Sequence, residues 1–529
     1  MARALEGYLA EHPRAVVLEG GKALFHFHLG DGGGLGGDPG AAKYALSVQG
    51  GASGHCVLQV WSEERNIVRR VTGMRVRKQS LLLETARLGQ SKPGSLELTD
   101  GGEQRIPSER KIERARFKQM LERALLRHWP EWKLSGLTAA VDLEHSFGPA
   151  LVRGEMLRGR SAMAVLAVGA GEMPESVDAA LTAGVLWLEQ LRSRVGDKRL
   201  VEGLRLILPA GMTAVTAARL AWMDFEKAKW ELWELDPRTE ELTAIAPEAG
   251  GNLATRLLRA PQEERVRERF ATEIAHIREV VPESDVRVTS ATEVAFALHG
   301  LVFARARVNA EAASFARSQT VIFGAGANET ELTPETEALF RSLLGRLRAE
   351  RVPEGRMASP LYRMQAEAWL EAQLRTSLPA IDTELEPLPV YSQMAAFAGV
   401  GDRGMLDLLA CTRDGRLAVI EVKAQEDMQL ALQGLDYWMR VRQLHVGVNP
   451  GSAESEFARM GYFPGCRLSR EDPVLYLVAP ALRIHPATEI VLKYFLPRVP
   501  WTLVAVNERW RQEVSVVWRK RSAVREPGG

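Results

Sequence analysis

Cysteine is scarce in this chain of 529 residues. Cys56, Cys411 and Cys466 stand far apart, with no Cys-x-x-Cys pair and no Cys/His cluster. That scarcity argues against a structural zinc site and against a disulfide framework, and it fits a reducing cytoplasm. Long hydrophobic runs are missing too. No segment reaches the roughly 20 apolar residues that span a bilayer, and the opening MARALEGYLAEHPRAVV lacks the apolar core of a signal peptide. Neither sign of charge is in excess. The 68 Lys and Arg against 67 Asp and Glu leave +1, so any attraction to nucleic acid has to come from a local surface. The glycine-rich GDGGGLGGDPG (Gly30 to Gly40) ends without the Gly-Lys-Ser/Thr of a phosphate loop and reads as a hairpin loop.

What is present is enough apolar residue, 46%, to build cores for three or four domains. One run carries the chemistry: GMLDLLACTRDGRLAVIEVKAQEDMQLALQGLDYW, Gly404 to Trp438. Two apolar stretches, each with one acid inside, flank an Asp-Gly pair, a strong hairpin signal. The hairpin sets Asp407 across from Glu421. Glu421 and Lys423 are two apart and share a face. Gln433 and Tyr437 are four apart on the helix that follows and share its face. Two carboxylates buried together are costly unless they bind a cation, and their oxygens suit Mg²⁺ or Mn²⁺. This is the equipment for metal-assisted hydrolysis of a phosphodiester, with Lys423 serving the water and the developing charge.

The run resembles the PD-(D/E)xK nuclease superfamily, in the branch that carries a Gln-x-x-x-Tyr helix. Asp407, Glu421 and Lys423 match the signature acid, acid and lysine; Gln433 and Tyr437 match the helical pair; Leu406 stands where the signature has proline. The resemblance spans about residues 358–515. It implies a restriction-endonuclease-like αβββαβ core and Mg²⁺- or Mn²⁺-dependent cleavage of nucleic acid, DNA by preference. It further implies metal held by Asp407 and Glu421 with the carbonyl of Val422, and a helper glutamate on the preceding helix. Glu367 and Glu371 in MQAEAWLEAQLRTSL both qualify, and Glu367 is preferred.

A second, degenerate copy precedes the first. AMAVLAVGAGEMPESVDAALTAGVLWLEQLR (Ala162 to Arg192) parallels the signature run once four residues are inserted. This sets Ala167 at Glu421, Gly169 at Lys423, Ala183 at Gln433 and Trp187 at Tyr437. Farther on, Pro209 aligns with Pro480 and Trp230 with Trp501 without a gap. The expected fold is therefore mixed α/β: tandem αβββαβ cores, each preceded by a small β-rich module. The expected divisions are an N-terminal β-rich module over 1–108, a degenerate nuclease-like domain over 109–240, a middle α/β module over 241–350 and a catalytic domain over 351–529. EERVRERFATEIAHIREVV reads as one charged helix opening the middle module. A monomer with pseudo-dimeric halves would cut one strand at a time. Basic side chains at Arg440 and Arg442, and at Arg519, Lys520 and Arg521 in the tail, are candidates for meeting phosphates. Two alternatives stay open: a non-catalytic nucleic-acid-binding scaffold, and an RNA-directed or nucleotide-activated effector nuclease.

Overall fold

A computed structural model describes the chain between Leu5 and Ser522. It leaves aside 27–42, 50–54, 62–65, 77–79, 87–92, 100–104, 249–256, 309–318, 326–328, 395–404, 448–453 and some single or paired positions, mostly before residue 22. The glycine-rich stretch 30–40 lies outside the described residues, as does everything after Ser522. Helices and strands mix throughout and form several sheets, so the class is mixed α/β. No helix among the described residues is long and apolar enough to cross a membrane.

The chain divides into two compact units, each assembled from two separate stretches. Met1–Ser108 with Pro261–Tyr362 make one. Its first stretch is a sheet of seven antiparallel strands between Val16 and Thr99, closed over Leu58, Val60, Leu81, Leu83, Leu96 and Leu98. Its second stretch is a five-stranded antiparallel sheet from Asp285 to Glu331, preceded by Glu263–Arg269 and Ala271–Val280. These are two helices where the charge pattern suggests one. The break falls at Phe270, whose ring is fully buried and whose backbone leaves the helical region.

Glu109–Ala260 and Arg363–Gly529 make the second unit. Numbering elements along this unit alone, its first half runs α1 (Arg105–His128), β1 (Lys133–Thr138), β2 (Leu151–Arg158), β3 (Ser161–Val168), α2 (Ala180–Val195), β4 (Leu200–Pro209), α3 (Ala214–Leu220), β5 (Lys229–Leu235) and β6 (Leu242–Ile245). The second half runs α4 (Ala366–Thr376), β7 (Tyr391–Met394), β8 (Leu406–Cys411), β9 (Leu417–Val422), α5 (Leu430–Arg442), β10 (Val474–Pro480), α6 (Pro486–Leu492), β11 (Trp501–Val506) and β12 (Val516–Arg521).

Each half holds a six-stranded sheet whose strands lie in chain order. In both sheets the first three strands pair antiparallel, the next two join in parallel and the last returns antiparallel. The central strands read as near-continuous apolar runs because both faces are covered; every residue of β9 is buried. The ladders also agree residue by residue. Leu204 pairs with Trp230 as Leu475 pairs with Trp501, and Leu166 pairs with Leu206 as Glu421 pairs with Leu477.

The halves meet reciprocally: α2 packs on α6, and α3 packs on α5. Met223 forms an antiparallel bridge with Phe495, two positions that exchange with Tyr494 and Asp224 under the register just given. One apolar core runs through both halves, joining Leu166, Leu188 and Leu206 to Val419, Leu435 and Leu477. Between them, the rings of Trp222 and Trp438 meet edge-on at 4.8 Å.

Candidate metal centre

The turn between β8 and β9 fixes the geometry of everything that follows. Gly415 has φ +85°, in the left-handed region, and a Cβ there would lie 2.1 Å from the Arg467 carbonyl oxygen. Only glycine fits. The turn closes with Gly415 N–H donating to Thr412 O at 2.9 Å and Thr412 N–H donating to Arg416 O at 2.8 Å. It sets Leu408 opposite Ile420, and the same register continues to Asp407 opposite Glu421. Glu421 therefore lies on the face of Leu417 and Val419, under α5.

Asp407 Oδ2 accepts the Val422 amide at 2.8 Å. Lys423 Nζ donates to Glu421 Oε1 at 2.9 Å, and its own amide donates to Val478 O at 2.9 Å, which pins it to β10. Glu421 is 2% exposed, and its other oxygen, Oε2, is buried with no hydrogen-bond partner. Glu367, in the first turn of α4, brings Oε2 to 4.0 Å from Lys423 Nζ with its side chain half exposed. Glu371, one turn later, is buried. Gln433 and Tyr437 lie on α5; Gln433 Oε1 is buried and unpartnered, and Tyr437 is half-buried.

The electrostatics follow from this crowding. Burial raises the Asp407 carboxyl above the usual range, against the Val422 amide and the Lys423 ammonium, which pull it down. Burial, and then Asp407 beside it, push the Glu421 carboxyl well above the usual range, and Lys423 only partly offsets them. Lys423 is raised: burial opposes its charge, but Glu421, Glu367 and Asp407 outweigh burial. Burial and the two acids Glu421 and Asp407 raise the Tyr437 hydroxyl, so it keeps its proton. Two carboxyls, close enough to hydrogen-bond to one another, thus crowd around one ammonium, and Glu421 Oε2 is buried with no donor besides the neighbouring acid.

No group of three or more His, Cys, Asp or Glu that could hold a metal ion occurs among the described residues. The donor set is two carboxylates. That suits Mg²⁺, which is usually held by one or two carboxylates and keeps several waters, and it does not suit a closed all-protein cage.

The other candidate residues are engaged elsewhere. Arg442 donates to Asp472 at 2.6 Å and covers the Trp222 ring. Arg519 donates to Ile381 O, Lys520 pairs with Glu489 and Arg521 with Asp382. These three lie on β12 opposite Val504, Leu503 and Thr502, away from the Val506 end of β11, whereas Lys423 follows the last residue of β9. Arg440 lies half-buried in the last turn of α5.

The corresponding place in the first half differs from the sequence expectation by one residue. Through the ladders, Leu166 and not Ala167 stands where Glu421 does, and Val168 and not Gly169 where Lys423 does. Ala167 faces the other side of the sheet, packed with Trp129 and Ile207. A single-residue shift reverses every side chain in a strand. Across from Leu166 lies Arg153, so a cation occupies the position of Asp407. Its guanidinium is buried, stacks over Phe147 at 4.4 Å and Trp187 at 5.8 Å, and donates to Ala140 O at 2.9 Å. An arginine and a leucine cannot ligate a cation, and Trp187 packs beside the arginine. The readable signal was the lone arginine inside LVRGEML.

Comparison of the chain with models of known protein families, with curated proteins and with solved structures finds no match.

Proposed function

We propose that this chain is a metal-dependent nuclease that hydrolyses phosphodiester bonds in DNA, with its site in the second half of the second unit. The observation that carries the reading is Glu421. An acid buried to 2% exposure, one oxygen orphaned, beside a second buried acid and a lysine, is a poor structural element and a good cation ligand. The element order helix, three strands, helix, strand around it supports the restriction-endonuclease-like reading.

Asp407 and Glu421 would hold Mg²⁺ or Mn²⁺, with the Val422 carbonyl beside them. When bound, the ion neutralises phosphate charge and makes a coordinated water acidic. Lys423 is held protonated by the acids around it. It donates hydrogen bonds and does not abstract protons, so it orients the water and stabilises charge developing on the phosphate. Tyr437, with its proton retained, is a donor, and Gln433 has a free acceptor. Together they hold the substrate backbone. Glu367, half in water and 4.0 Å from Lys423, assists through a water.

The test incubates wild type and Lys423→Ala with single-stranded, duplex and branched DNA and with RNA, with and without Mn²⁺. Metal-dependent DNA cleavage, lost in the variant, is expected. Cleavage that survives Lys423→Ala refutes the site, and cleavage of RNA alone refutes the substrate.

A further inference from the structure

The site helix α5 is held from outside its own half. Arg219, on α3 of the first half, is 1% exposed. Its Nε donates to Asp436 Oδ1 at 3.0 Å and its Nη2 to Asp436 Oδ2 at 2.7 Å, a two-point grip on the residue that precedes Tyr437. The same guanidinium is anchored to its own half by the Asp178 carboxylate at 2.7 Å and the Asp178 carbonyl at 3.0 Å. At the start of α5, Thr182 of the first half, fully buried, donates to Oε1 of the capping residue Gln429 at 3.0 Å.

The reciprocal contact has no counterpart of either device. Under the register of the two halves, Asp436 corresponds to Leu186 and Arg219 to Ile490, both packed against the shared apolar core. Thr182 corresponds to Leu432 and Gln429 to Ala179. At these positions the reciprocal contact is apolar; its polar bonds lie farther along, from Arg192 and Glu189 of α2 to Tyr494 just after α6. The other contact sets a buried arginine between two acids, and a buried hydroxyl, at the same positions; such groups are harder to accommodate, and only that contact touches the helix carrying Gln433 and Tyr437.

We infer that Arg219, with Thr182, is a positioning element by which the ligand-free first half fixes the active-site helix of the second. This rests on the nuclease reading above. On this inference the degenerate half orients the site and takes no part in the chemistry. Because Asp407 and Glu421 sit on strands, metal affinity is independent of the grip, and only the placement of Gln433 and Tyr437 depends on it.

The experiment uses the full chain as wild type, Arg219→Lys, Thr182→Val and the double variant Arg219→Met/Asp436→Leu. The double variant removes both buried charges at once and leaves Asp178, whose side chain is 42% exposed to water, so folding is preserved. Mn²⁺ binding is measured by calorimetry, cleavage kinetics with Mn²⁺ on a DNA duplex, and amide exchange across Leu430–Arg442. The expected result is a kcat lower by about tenfold or more in the double variant and a smaller loss in the other two. Mn²⁺ affinity stays within about twofold of wild type, and exchange in α5 is faster. A folded double variant with unchanged kcat overturns the inference, as does a loss of kcat matched by a loss of Mn²⁺ affinity. If wild type cleaves nothing with Mn²⁺, the nuclease reading fails instead. The grip is then judged by exchange alone, and unchanged exchange in α5 refutes it.

Discussion

Gly434 and Gly184 occupy equivalent places on α5 and α2, each where its helix lies closest to the sheet. A Cβ at Gly434 would stand 2.4 Å from Leu477 Cδ2 and 3.1 Å from Leu475 Cδ1; one at Gly184 would stand 2.6 Å from Leu204 Cδ2. These leucines are buried, so an added methyl has to move the helix or the leucine by about 1 Å to reach ordinary contact. Glycine to alanine within a helix gains about 1 kcal/mol of propensity, and overpacking costs about 1–3 kcal/mol. Gly434→Ala and Gly184→Ala should therefore each lose about 0–2 kcal/mol, and by similar amounts. Activity should separate them. Moving α5 by about 1 Å displaces Gln433 and Tyr437 and should cost on the order of 100-fold in cleavage rate, whereas Gly184→Ala disturbs a helix that reaches the site only through Thr182 and should cost about tenfold or less. Urea denaturation and Mn²⁺-dependent cleavage of a DNA duplex measure the two quantities. Equal activity losses in the two variants, or full activity in Gly434→Ala, would refute the placement of Gln433 and Tyr437 in the site.

Mn²⁺ or Mg²⁺ at about 100 times its dissociation constant should stabilise wild type by about 2.7 kcal/mol and leave Glu421→Gln unshifted, as read by thermal melting; an equal shift in both would place the cation elsewhere. Supercoiled plasmid should appear as open circle before it appears as linear product, because Arg153 and Leu166 leave the first half without ligands; linear product at first encounter would argue against a single live site. His445 is buried between Ser455 Oγ and the Ser469 carbonyl, each at 2.7 Å, and burial lowers it to about 4 from an ordinary 6.5. The unfolded chain takes up its proton near pH 6.5 and the folded chain only near 4. This contribution to stability is therefore complete above about pH 6.5 and is lost as pH falls to about 4, by about 3 kcal/mol in full. Urea denaturation of His445→Gln should flatten that part of the pH dependence, and an unchanged slope would refute it.

The second half was legible in the sequence because its signals are local and agree with one another. The Asp-Gly turn fixes the pairing of Asp407 with Glu421, and the acids stand out against apolar neighbours. The Gln433–Tyr437 spacing is helical, and the helix is there. The first half was harder. Ala162 to Val168 is apolar at every position and buried on both faces, so nothing in it marks which residues face α2. A shift of one residue there puts Leu166 and Val168, in place of Ala167 and Gly169, at the positions of Glu421 and Lys423. Arg153 stands before Ala162, outside the run that parallels the signature. The partners of the basic tail, Ile381, Glu489 and Asp382, are distant in sequence and meet β12 only through the fold. Arg219 and Asp436, 217 residues apart, could not be paired by any local rule.

The way the two units interleave constrains how the protein can be made. A ribosome that has released residues 1–260 has delivered one stretch of each unit and completed neither. Helices α2 and α3 must then wait, with their apolar flanks uncovered, until α5 and α6 emerge much later in synthesis. A nascent chain in that state is prone to aggregation and is a natural client for chaperones. For the same reason no single proteolytic cut between residues 108 and 363 separates the molecule into intact parts, since each such cut severs at least one unit. The protein is therefore poorly suited to dissection into fragments and should reach its mature state late and as a whole.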